Sequence, residues 1–310
     1  MSFRGGILSG WILAGLLSVG AAETWKFATY NLANYNLTDR QIEGAFLTQY
    51  PKPEHEKTAL RRVIQQMDAD VLAIQEIGGD AFLRELQRDL KSGAVNYPYA
   101  TVLTAVDEAR QVAVLSRIPF KSVRGHDNLD FKYFDGRELV KRGMLEVRFD
   151  TPSGELAVFV VHFKSPLTER RDDPNAELRR GREATAARDQ VVALFPDPAT
   201  ARFLVMGDFN DGPADRAVRA FQLRGDWRIS LLLPASDSRG ETWTHRYRRN
   251  DVYSRIDHIM VSPGLRDAVV GEGGVIWDAP GVMTASDHRP VVVALSLEAA
   301  SDSPGGPKGD

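Results

Sequence analysis

The chain has 310 residues, of which 43% are hydrophobic and 26% charged, with a formal net charge of −3 and no cysteine. That balance belongs to a soluble globular protein long enough to bury a sizeable core. It excludes a protein that coats nucleic acid through a global basic field, a disulfide framework and a lipid-attachment thiol. An enzyme that visits phosphodiesters stays open, because a bound cation supplies positive charge locally.

Arg4 precedes an apolar stretch over residues 7–22, broken mainly by Gly and Ser and closed by Gly20-Ala21-Ala22. A basic start, a short apolar core and a small-residue exit describe a secretory signal peptide over residues 1–22. The alternative is a retained anchor, although a spanning helix needs about 20 apolar residues. Residues 25–31 alternate toward a strand ending at Tyr30-Asn31, and residues 34–53, polar and aromatic without clean periodicity, read as a loop. Leu60, Val63, Ile64 and Met67 give residues 54–67 helical spacing, as Phe82, Leu83, Leu86 and Leu90 do for residues 81–90. Residues 98–116 hold two strands, and residues 144–149 and 156–163 form a strand pair around Thr151-Pro152-Ser153-Gly154. Residues 164–194 are charged, with a helical second half. A strand then runs into Asp208, a short helix covers residues 214–223, and strands over 254–261 and 290–297 complete the set. The Ser/Gly/Pro/Asp tail, residues 299–310, predicts disorder. With no repeat or linker, residues 23–298 read as one domain, and so many strands with helices between them require two packed sheets covered by helices.

Several apolar strands deliver a carboxylate or a histidine at one end: Val71-Leu72-Ala73-Ile74-Gln75 meets Glu76, the strand from residue 156 meets His162, and Phe203-Leu204-Val205-Met206-Gly207 meets Asp208. Asp257 and His258 follow Ile256, and Asp287-His288 precede Val291-Val292-Val293. Carboxylates gathered at one rim repel each other unless a cation or a proton intervenes, so the pattern predicts a metal-dependent active site. In Met206-Gly207-Asp208-Phe209-Asn210-Asp211, Gly207 permits a tight strand exit. Asp208 can then activate a water while Asn210 donates to a phosphoryl oxygen; a simple Asx turn is the competing explanation. His288 suits acid–base or electrostatic work, with Asp257 as the candidate for fixing its tautomer. Glu76 is the leading ligand for a hard cation, with Asn31 and Asp287 as companions. His162 alone reads equally as a core residue, and Arg142 and Lys164 as either phosphate contacts or solvated surface charges.

In this order, the pieces resemble the DNase-I-like endonuclease/exonuclease/phosphatase superfamily. They are Thr29-Tyr30-Asn31-Leu32, Asp70-Val71-Leu72-Ala73-Ile74-Gln75-Glu76, Val112-Ala113-Val114-Leu115-Ser116-Arg117, Arg142-Gly143-Met144, Val161-His162-Phe163-Lys164-Ser165, Gly207-Asp208-Phe209-Asn210, Arg255-Ile256-Asp257-His258-Ile259 and Ser286-Asp287-His288-Arg289-Pro290. The resemblance implies a four-layer α/β/β/α sandwich with two mixed sheets face to face. It also implies Mg²⁺- or Mn²⁺-dependent phosphoester hydrolysis by direct water attack, with Ca²⁺ as a further cation. It implies that Asn31, Glu76 and Asp287 bind metal, that Asp208 activates water and that Asn210 binds phosphate. Asp257 would orient His288, and His162 and His288 would stabilise the phosphorane or protonate the leaving oxygen. Ala33 stands where abasic-site enzymes of the superfamily carry an Asp, and His162 where they carry a Tyr. Arg255-Ile256-Asp257-His258 replaces the Trp-x-Asp-Arg signature of inositol phosphatases.

The expected function is a secreted or periplasmic nuclease acting on DNA or RNA, a monomer with no protein partner implied and no membrane span after cleavage. Its motivating segment, residues 239–255, interleaves Arg239, Arg246, Arg248, Arg249 and Arg255 with Trp243, Tyr247 and Tyr253. The alternative is a phospholipase-C-like (sphingomyelinase-type) phosphodiesterase or a phosphomonoesterase, for which Phe131-Lys132-Tyr133-Phe134 is the one candidate for an exposed apolar hairpin.

Overall fold

The computed structural model describes residues 23–298. The expected signal peptide, residues 1–22, and the expected disordered tail, residues 299–310, lie outside the described residues. The chain opens with β1 (Thr24–Tyr35), β2 (Leu37–Ile42), β3 (Ala45–Pro51), α1 (Glu54–Met67), β4 (Val71–Ile77) and α2 (Asp80–Ser92). Next come β5 (Tyr99–Leu103), β6 (Gln111–Ser116), β7 (Ser122–His126), β8 (Asp130–Tyr133), β9 (Gly136–Leu139), β10 (Met144–Thr151) and β11 (Gly154–His162). Beyond α3 (Glu177–Leu194), β12 (Phe203–Asp208) and α4 (Arg216–Gln222) lie the short strands β13 (Leu223–Arg224), β14 (Trp227–Arg228), β15 (Leu231–Leu232) and β16 (Ala235–Ser236). The chain closes with β17 (His245–Tyr247), β18 (Val252–Ser254), β19 (Asp257–Val261), β20 (Gly274–Ile276), α5 (Val282–Ala285) and β21 (Val291–Ser296).

One sheet has the order β16-β20-β21-β1-β4-β6-β5 and the other β15-β19-β12-β11-β10-β7. Both mix parallel and antiparallel pairs, β1 lying parallel to β4 and β11 to β12. Their strands are apolar on both faces because both faces are covered. Val71 and Ala73 of β4 point into the core between the sheets, with Val158 and Val160 of β11 opposite. Leu72 and Ile74 point outward into a second core with Leu60, Val63, Ile64 and Met67 of α1 and Leu83, Leu86 and Leu90 of α2. Phe159 and Val161 do the same on the other side, against Ala184, Ala187 and Val191 of α3. The result is the four-layer α/β/β/α sandwich. Emptying a wholly buried ring such as Phe27 or Phe159 would cost about 3–5 kcal/mol.

Two stretches differ from expectation. Residues 34–53 contain the hairpin β2–β3, which pairs only with itself and so lacks the apolar run that marks a core strand. The stretch 254–261 is two strands, not one: Thr244 Oγ1 accepts the N–H groups of Ile256 and Asp257 at 3.0 and 3.1 Å, breaking the run between β18 and β19. The hairpin β8–β9 likewise pairs only with itself, and β17–β18 does so apart from one bridge between His245 and His288. Phe131 and Tyr133 of β8 are buried beside Val140, so they form no exposed apolar hairpin.

Candidate active site

Strand direction collects the polar ends. Parallel β11 and β12 finish together, with His162 opposite Asp208. Antiparallel β19 begins at the same level, with Asp257 opposite Asp208. Parallel β1 and β4 carry Asn31 and Glu76 to the same rim, where Asn31 Nδ2 donates to Asp208 Oδ2 at 3.0 Å across the two sheets. The loop 286–290, which enters β21, closes the group. Its His288 Nδ1 lies 2.9 Å from Asp257 Oδ2, both groups buried.

Local backbone aims two of these residues. Glu76 sits at a break in the β4–β6 register with a φ of 64°, which turns its carboxylate out of the ladder. Its Oε2 accepts the N–H of Asn34 at 2.9 Å, and its Oε1 is 3.9 Å from His162 Nε2. Gly207 has a φ of 150°, and a Cβ there would fall 1.9 Å from the carbonyl oxygen of Val161. Glycine therefore allows β11 and β12 to approach while Asp208 leaves the strand. Asn210, at a φ of 52°, donates its N–H to Asp208 Oδ1 at 2.8 Å and its Nδ2 to the Phe163 carbonyl at 3.0 Å.

The cluster is electrostatically strained. Burial pushes the Asp208 carboxyl up to about 7, and the neighbouring Asp257 charge adds to the rise. For His288, burial acts downward, but the Asp257 carboxylate and its hydrogen bond outweigh it and lift the imidazole to about 10. His162, 3.5 Å from Asp208 Oδ2, is held well below the usual histidine range by burial and then by Arg142. The site thus juxtaposes a protonated and a neutral histidine beside a carboxyl poised near neutrality.

Three predicted residues have less direct placements. The Asp287 side chain is 42% exposed and points its Oδ2 to 3.9 Å from His245 Nε2. Arg142 is buried in an ion pair with Asp107 at 2.9 Å; its Nε and Nη1 have no hydrogen-bond partner among the described residues. Lys164 folds back onto the carbonyls of Ser165 and Leu167, and burial lowers its ammonium to about 8. His258 points away, its Nε2 2.9 Å from the carbonyl oxygen of Asp211 and its ring against Phe209.

Sequence reasoning missed Arg180, Glu183 and His245 at this rim. Arg180 and Glu183 of α3 are buried. Glu183 Oε2 accepts the N–H of Lys164 at 2.8 Å, and Arg180 Nη1 donates to the Lys164 carbonyl at 3.1 Å. Arg180 Nε also meets Asp211 Oδ1 at 2.5 Å, so α3 ties the exits of β11 and β12 together. The three-residue spacing of Arg180 and Glu183 places them on one helix face, a signal indistinguishable from a solvated pair. His245 has its ring centroid 4.6 Å from that of His288, and no local motif marks it.

A family model described as the endonuclease/exonuclease/phosphatase family matches residues 28–288. The chain belongs to this family. It is therefore an enzyme, a hydrolase acting on phosphoester bonds. Among solved structures it is similar to the catalytic domain of human nocturnin, with a TM-score of 0.61 at 16% identity over 88% of this chain and 94% of that one. It is also similar to sphingomyelinase C of Streptomyces griseocarneus (TM-score 0.58, 15% identity, 88% of this chain, 99% of that one). A family member from Beutenbergia cavernae aligns with a TM-score of 0.58 at 21% identity, covering 89% of this chain and 72% of that one. These likenesses are of fold. No curated protein matches the chain at a significant level. Among the described residues no helix is long and apolar enough to cross a membrane.

Proposed function

We propose that the protein is an exported, divalent-metal-dependent nuclease that hydrolyses DNA, and RNA by the same chemistry, through direct attack of water on phosphorus. The observation that carries the substrate class is the attachment of β17–β18 to the site. Arg246 N donates to the Asp287 carbonyl at 3.0 Å, which seats a hairpin bearing Arg246, Tyr247, Arg248 and Tyr253 beside His288. Basic side chains there can follow phosphates, and exposed tyrosine rings can stack on bases. Export rests on the composition of residues 1–22.

A hard divalent cation fits the donors present. Asp208, Asp257 and His288 offer ligand atoms within 4.8 Å of one another, and Asp257 Oδ1 is buried with no hydrogen-bond partner among the described residues. His288 is charged and engaged by Asp257, which leaves an oxygen-rich set of carboxylates and the Asn31 amide of the kind Mg²⁺ or Mn²⁺ takes. We assign the cation to Glu76, Asn31 and Asp287, which adjoin this group through the Asn31–Asp208 hydrogen bond, the Glu76–His162 approach and the chain link to His288, and keep Asp208 for water activation and Asp257 for holding His288. When bound it neutralises charge developing on the phosphate as a Lewis acid.

The chain's own groups supply the rest. Asp208, poised near neutrality, orients a water and takes its proton. Asn210 keeps a second Nδ2 hydrogen for a phosphoryl oxygen. His288, positively charged and held by Asp257, faces the developing negative charge and gives its proton to the leaving oxygen. His162, neutral, hydrogen-bonds the same phosphate. Arg142 and Lys164 bring positive charge to the substrate side. Nicking of supercoiled plasmid with Mg²⁺, abolished by EDTA and by Asp208→Ala, is the expected result. Absence of nicking alongside hydrolysis of a small phosphodiester would retain the site and exclude DNA.

A lipid phosphodiester is the second substrate reading. It is favoured by the β2–β3 hairpin, which follows the strand carrying Asn31 and exposes Leu37, Tyr50 and, at 66%, Phe46. Sphingomyelin turnover without plasmid nicking would select it.

A further inference from the structure

We propose that His245 is a positioning residue for His288, its ring fixing the plane in which His288 presents Nε2 to the scissile phosphate. The proposal rests on the catalytic role given to His288 above. Asp257 holds Nδ1 of that imidazole at 2.9 Å, but one hydrogen bond leaves the ring free to swing about it. His245 removes that freedom, its ring packing against His288 at a centroid distance of 4.6 Å and an interplanar angle of 44°.

His245 is itself fixed. An isolated antiparallel bridge pairs its backbone with that of His288. On either side of the bridge, Arg246 N donates to the Asp287 carbonyl at 3.0 Å and Arg289 N to the Thr244 carbonyl at 2.6 Å. Its Nδ1 lies 3.4 Å from Ser254 Oγ on the facing strand of the hairpin. Its Nε2 is 3.9 Å from Asp287 Oδ2, beyond hydrogen-bond distance, so that nitrogen makes no hydrogen bond to Asp287. Because His245 opens β17, it also joins the dyad rigidly to the arginine-bearing hairpin.

The test compares wild type with His245→Ala and His245→Phe on bis(4-nitrophenyl) phosphate in Mg²⁺. Loss of ring support should lower kcat of His245→Ala by about tenfold or more, since small misplacements of a reacting group are costly. KM should stay within about twofold, and His245→Phe, which keeps a planar ring, should recover to within about threefold of wild type. A wild-type kcat for His245→Ala, or equal losses in both variants, would overturn the proposal. The His288 Nδ1–H proton resonance provides a readout independent of turnover. It should broaden in His245→Ala and persist in His245→Phe, and an unchanged line in all three proteins would overturn the proposal equally. Full activity in His288→Ala would instead defeat the catalytic role of His288, while the resonance would still decide whether His245 fixes the ring.

Discussion

Asp208 and Asp257 stand opposite one another on adjacent antiparallel strands, both buried, with Asn31 and His288 as their hydrogen-bond partners. Two carboxylates so placed repel, and the fold tolerates them because β12 and β19 are fixed on both faces by apolar side chains.

Asp208→Asn should therefore stabilise the fold while destroying turnover. The Asp208 carboxyl titrates near 7 in the folded chain and near 3.8 as a free group. Its ionised form costs stability that is absent below the lower value and fully present above the higher one. In EDTA, Asp208→Asn should melt several degrees above wild type at pH 8, with the difference vanishing toward pH 4. Turnover should fall by about a hundredfold or more. A lower melting temperature at pH 8 would refute the repulsion.

Asp257→Asn removes the charge that lifts His288. Burial is then opposed only by the weaker pulls of Asp208 and Asp287, so its titration, followed by NMR, should fall from about 10. The raised imidazole contributes stability that is complete below pH 6.5 and is lost as pH climbs through 10, and this variant should lose that pH dependence. Turnover should fall by about two to four orders of magnitude.

Gly207→Ala tests the close approach of β11 and β12. A methyl group 1.9 Å from the Val161 carbonyl oxygen must move backbone. The expected cost is about 3 kcal/mol, a fall in Tm of roughly 10 °C. A stable, active Gly207→Ala would mean that the strands can separate without harm.

Neutralising Arg246, Arg248 and Arg249 together should raise KM for DNA and flatten its dependence on log salt by up to about 0.9 for each phosphate that is no longer neutralised. Arg246 is paired with Asp251 at 2.9 Å, and Arg248 donates to the Met283 carbonyl at 2.6 Å. Part of the effect should therefore reflect loosening of the hairpin, and single variants should separate the two causes. An unaltered salt slope would remove this hairpin from DNA binding.

The rim was legible in the sequence because apolar runs buried on both faces end abruptly. Glu76, His162 and Asp208 are visible as the first ionisable groups beyond such runs. The hairpins were not legible: β2–β3 pairs only with itself, β17–β18 adds only a short backbone contact to the loop 286–290, and neither needs an apolar signature. Arg180 and Glu183 were hidden for a different reason. Their helix face turns charge inward to hold the main chain at Lys164 and the side chain of Asp211, and periodicity assigns such charge to solvent. His245 acquires its place from a bridge to a distant stretch of chain, which no local pattern encodes.

The hairpins β2–β3 and β8–β9 each close on themselves, outside the ladders of the two large sheets. Lengthening, shortening or exchanging one of them unzips no strand that carries Glu76, His162, Asp208 or Asp257. Descent can thus alter which phosphoester is admitted by grafting at the rim, while the hydrolytic apparatus beneath is inherited unchanged.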